Sequence, residues 1–133
     1  MVRHVKTIAW EQKLKKVFDR IDDILEKKYG DMYPLHPARP ERGETSNKEH
    51  DGLFDLSAVF SAGFGSEHGR GYIVRSRIAT LAEVPPEVAE KIEEEVAEML
   101  RKELPEAFPG RNLDVTRDGH ILKIQGDLSL GEV

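Results

Sequence analysis

The hydrophobic period of this chain changes three times along its length, and that alone leaves few architectures open. From Thr7 to Gly30, apolar residues recur at three- and four-residue steps: Trp10, Leu14, Val17, Ile21, Ile24 and Leu25, with Phe18 widening the stripe. This is the period of an amphipathic helix. Thr7 suits its N-cap, Gly30 the position just past its end, and Lys27 and Lys28 the negative pole of its dipole. From Gly52 the period drops to two. Phe54, Leu56, Ala58, Phe60 and Ala62 point one way along a first strand; Tyr72, Val74, Ile78 and Thr80 share one face of a second. The glycine-rich GFGSEHGRG joins them. A hairpin centred near Glu67 pairs Phe60 with Val74, Leu56 with Ile78 and Ser57 with Arg77.

The helical period returns in EVPPEVAEKIEEEVAEMLRKELPEAF. Pro86 suits the first helical position, and Val88, Ile92, Val96, Met99 or Leu100, and Leu104 form the buried stripe. Glu93, Glu94, Glu95 and Glu98 crowd the outer side, and Pro105 with Pro109-Gly110 stops the helix. Last, NLDVTRDGHILKIQGD alternates about Asp118-Gly119, a strong signal for a two-residue hairpin turn. That turn pairs Val115 with Leu122, Leu113 with Ile124 and Asp114 with Lys123.

The order α-β-β-α-β-β predicts an α+β fold: a two-layer sandwich with two helices on one face of a four-stranded antiparallel sheet. A chain of 133 residues fits a single domain, 1–133, with one long polar loop at 31–52. The strand order does not follow from the pattern. The outer sheet face is expected to carry Asp55, Ser57, Val59, Arg75, Arg77, Asp114, Thr116, Ile121, Lys123 and Gln125.

Composition removes whole classes of function. The net charge of −5 argues against a dedicated nucleic-acid binder, whose footprint is a basic surface. With no cysteine there are no disulfides, thiolate metal sites or cysteine nucleophiles, which suits a cytoplasmic protein. No apolar run approaches the ~18 residues of a membrane span, and MVRHVKTIAW lacks a secretory core.

Chemistry is left to the loops. HPARPERGETSNKEHDG, His36 to Gly52, shows neither helical nor strand period. It gathers His36, Arg39, Arg42 and His50; His68 and Arg70 stand in the hairpin loop at 63–71, and Arg75 and Arg77 on one strand face. These residue types hold anions and move protons. Together they are the candidate binding residues for a phosphorylated or carboxylated small molecule. The glycines at 63–71 lie between strands rather than ahead of a helix, so no phosphate fingerprint is present. The histidines lack metal-ligand spacing, and no motif calls for a cofactor. With no nucleophile motif either, the sequence favours a non-enzymatic binding or interaction module that forms a homodimer. A small enzyme or sensor working through the 36–52 and 63–71 loops is the alternative. For the 36–52 loop itself, composition favours a solvated connector.

Overall fold

A computed structural model describes residues 5–61, 71–118 and 121–126 of the chain. Helix α1, Val5–Tyr29, is followed by the long loop, which holds a short 3₁₀ turn at Lys48–His50. Strands β1, Phe54–Ser61, and β2, Gly71–Ile78, come next, then helix α2, Pro86–Ala107, then β3, Leu113–Asp118, and β4, Ile121–Gly126. The four strands form one antiparallel sheet in the order β1-β2-β4-β3. The expected α+β architecture and element order are present.

The two helices are held by the stripes that their period announced. Trp10, Leu14, Val17, Phe18, Ile21 and Leu25 of α1 and Ile92, Val96, Ala97, Leu100 and Leu104 of α2 are buried in one core. From the sheet, Phe54, Leu56, Tyr72, Val74, Val115, Leu122 and Ile124 meet them. Trp10 packs on Phe108 with ring centroids 4.0 Å apart, and its indole N–H donates to the Tyr72 hydroxyl at 3.1 Å.

Several local expectations are corrected. Helix α1 already runs from Val5, so Thr7 lies inside it and is not its cap. Pro86 does open α2, but Pro105 sits within the helix, which continues to Ala107. A proline in the last turn removes one N–H bond and leaves the turns before it intact. Ile24 is exposed at the edge of the α1 stripe, and Phe60 stands 52% exposed at the far end of β1. Glu93 is buried rather than outward, beside Arg117 at 2.8 Å.

Both hairpin registers differ from expectation by two residues. Phe60 pairs with Tyr72, Leu56 with Ser76 and Ser57 with Arg75. Val115 pairs with Ile124, Leu113 with Gly126 and Asp114 with Gln125. A shift of two keeps every side chain on its face, because the strand period is two. Hydrophobic matching therefore fixes the face and not the pairing. Asp118 pairs with Ile121, so it closes β3 instead of entering the turn. Gly119 and most of the 63–71 loop lie outside the described residues. On the outer face, Gln125 is buried while Arg75 and Arg77 are exposed.

Candidate functional site

The 31–52 segment is built around charge. Three of its residues, Arg39, Arg42 and Asp51, turn inward and tie it to α1 and to the start of β1. Asp51 is 1% exposed. Its Oδ2 accepts the Gly43 N–H at 3.1 Å, the Thr45 N–H at 3.2 Å and the Thr45 hydroxyl at 3.1 Å. Its Oδ1 accepts Arg42 Nη1 at 3.2 Å. One carboxylate thus organises the turn at 43–45, as a short acidic side chain bonded to local N–H groups does.

Arg42 faces α1. Its Nη1 lies 3.1 Å from Asp22 Oδ1 and 3.1 Å from the Lys48 carbonyl, while its Nη2 bonds Asp23. Lys48 also bonds Asp23, and Lys15 reaches Asn47 at 3.2 Å. One turn further along α1, Glu26 accepts the backbone N–H groups of Leu53 and Phe54. Arg39 donates to three carbonyls, those of Gly52 at 3.0 Å, Asp51 at 3.2 Å and Phe54 at 3.1 Å. Gly52 itself has φ of +77° and lies against the Glu26 carboxylate, where a Cβ would collide.

These surroundings set the acidities. Burial pushes the Asp22 carboxyl up to about 7, against the opposing pull of Arg42 and with help from Glu26, Asp23 and Asp19. Burial also raises Glu26, and the Phe54 and Leu53 N–H groups offset only part of it. For Asp23, the bonds from Lys48 and Arg42 outweigh burial and hold it below its ordinary value. For Asp51, burial is likewise outweighed, by the Thr45 and Gly43 donors and then by Arg42.

Beside this cluster, the end of α1 and the start of the loop enclose a cleft of about 670 Å³. Glu26, Asp31, Glu41 and Arg42 supply its charge, and Met32, Tyr33, Pro34 and Leu35 its apolar side. A smaller cleft of about 330 Å³ lies between His36, Arg39 and Arg77. There, the His36 N–H donates to the Ala79 carbonyl at 2.8 Å, and His36 Nδ1 accepts the Ala38 N–H at 3.0 Å.

A protein family described only as an uncharacterised protein matches residues 5–126. The chain belongs to that family. An uncharacterised protein of Borreliella burgdorferi, similar to it, is 42% identical over 106 residues, which cover 80% of this chain and 83% of the relative. No solved structure matches.

Among the described residues, the expected site residues come together only in part. Arg39 bonds carbonyls of the loop and of β1, and Arg42 bonds α1 and the loop. His36, Arg39 and Arg77 share the smaller cleft, where Arg77 pairs with Asp55 at 3.3 Å. His50 and Arg75 are exposed, and His68 and Arg70 lie outside the described residues. Sequence reasoning missed Asp22, Asp23 and Glu26. Asp22 did leave a signal: it stands four residues after Phe18 and three before Leu25, inside the apolar arc of α1.

Proposed function

We propose that the protein is a non-enzymatic binding module, and that the larger cleft receives a positively charged group of its ligand. The charge of the cleft wall carries this reading. Glu26, Asp31 and Glu41 line it, and its Arg42 is already engaged by Asp22, Asp23 and Asp51. The C-terminal end of α1 adds the negative pole of the helix dipole. Tyr33 offers a ring to a cation, and Met32 and Leu35 can cover an alkyl stem. An ammonium or guanidinium on a flexible chain has this chemistry. The anion reading is weaker, because Arg39 is already bonded to carbonyls of the loop and Arg42 to carboxylates of α1 and the loop. A cytoplasmic location belongs to the reading, on the cysteine-free composition; no described helix is long and apolar enough to cross a membrane.

The test is a titration followed by amide NMR, with spermine as the cationic probe and inorganic phosphate as the anionic one. Spermine is expected to move the resonances of Met32, Tyr33, Leu35 and Glu41. The double variant D31N/E41Q should weaken it roughly tenfold, the size of a lost charged contact. Phosphate shifts around Arg39 and His36, with none from spermine, would overturn the reading in favour of the anion site.

A homodimer through the outer sheet face is a second element, with its own observation. Val59 is 55% exposed and Ile121 40%, on the face that also carries Arg75 and Arg77. Sedimentation at rising concentration should show twice the chain mass; a monomer at every concentration would remove this element alone.

A further inference from the structure

Arg42 is asked for more than it can give. Its Nη1 carries two hydrogens, yet three oxygens face it: Asp22 Oδ1, the Lys48 carbonyl and Asp51 Oδ1. The surrounding charge is also unbalanced. Asp22, Asp23 and Glu26 from α1 and Asp51 from the loop make four carboxyl groups, against the cations Arg42 and Lys48. Of the other charged groups nearby, Asp19 pairs with Lys15, Asp55 of β1 lies with Arg39 and Arg77, and His50 is exposed on the 3₁₀ turn. Asp22 is 2% exposed, so water cannot make up the deficit there.

We propose that Asp22 is a proton-operated catch for the 40–52 loop: protonated, it lets Arg42 lock the loop onto α1; ionised, it loosens that attachment. A neutral Asp22 makes one fewer claim on the guanidinium and supplies a donor of its own. The two hydrogens of Nη1 then serve Asp51 and the Lys48 carbonyl within the loop, while Nη2 keeps its bond to Asp23 and so holds the loop on α1. An ionised Asp22 adds a further negative charge to a cluster already in excess, and buried like charges repel strongly. The raised pKa of Asp22, about 7, places this change near neutral pH. The catch does not rest on the cation-binding reading. The two are linked in space, since Glu41 and Arg42 also line the larger cleft.

The test is amide hydrogen exchange of Gly43 and Thr45, whose N–H groups bond Asp51. Protection is compared at about pH 5.5 and about pH 8.5 after correction for intrinsic rates, in the wild type and in Asp22→Asn. In the wild type, protection is expected to fall at least tenfold at the higher pH; Asp22→Asn keeps it at both. Wild-type protection that does not change overturns the catch. So does an Asp22→Asn protein that loses protection as the wild type does, which would assign the response to another group of the cluster such as Glu26. Should Asp22→Asn not fold, the ¹³C carboxyl titration of Asp22 in the wild type decides. A midpoint near neutrality supports the catch, and one near about 4, the ordinary value, overturns it.

Discussion

Asp22 and Arg42 meet at 3.1 Å across twenty positions of sequence, and this contact joins the long loop to the middle of α1. It reverses the natural reading of both residues. An aspartate on a charged helix and an arginine in a polar loop look like solvated groups. Here the aspartate is buried, and the arginine holds it together with the equally buried Asp51.

Replacing Arg42 with methionine is expected to destabilise the fold by about 3 kcal/mol, because it leaves two buried carboxyl groups without their cation. Arg42 is itself 27% exposed, which places the effect toward the low end of such losses. Urea unfolding monitored by circular dichroism measures it. Arg75→Met on the exposed sheet face is the comparison, with a change within about 0.5 kcal/mol.

Stability should fall as pH rises from about 4 to about 7, against the common pattern. The sign follows from Asp22 and Glu26. Both are raised in the folded state, so between the unfolded and folded values the folded chain keeps protons that the unfolded chain has lost. For Asp22 the shift is roughly three pH units, on the order of 4 kcal/mol. Asp23 and Asp51 act oppositely: they are depressed, and their contribution is lost only as pH falls below about 4. Urea midpoints across this range should peak on the acid side of neutrality, and Asp22→Asn should flatten the decline.

Gly52→Ala should be far more damaging than Gly43→Ala. Both glycines have positive φ, +77° and +94°, so each alanine pays backbone strain of about 1 kcal/mol. Around Gly43 the space for a methyl group is open. At Gly52 the methyl group displaces the Glu26 carboxylate from the Leu53 and Phe54 N–H groups, adding about 1–3 kcal/mol for buried donors left unbonded. Thermal denaturation of the two variants side by side gives the comparison.

The architecture was legible because burial is periodic: the stripe of Leu14, Val17, Ile21 and Leu25 can face only one way. The register was not, since moving Leu56 from Ile78 to Ser76 leaves its face unchanged. The polar loop was least legible. Its order comes from its own Asp51 together with Asp22 and Glu26, which lie on another element, and no local period in residues 36–52 encodes a contact with α1. The one local hint was Asp22 itself, a charge where the helix stripe called for an apolar residue. That misplacement marks the loop's anchor.

Tyr72→Phe tests the other end of the sheet. The chain has one tryptophan, so its fluorescence reports on Trp10 alone. The Trp10 indole N–H donates to the Tyr72 hydroxyl at 3.1 Å, and both residues are buried. Removing the hydroxyl strands that donor, at a cost of about 1–2 kcal/mol. The indole should keep its place, because Phe108 packs on it and the Arg111 guanidinium lies 5.2 Å from its ring. The expected result is a blue-shifted emission with a lower urea midpoint and an unchanged folded circular dichroism spectrum. Red-shifted emission would instead mean that the hydroxyl, and not the stacking, holds the indole in the core.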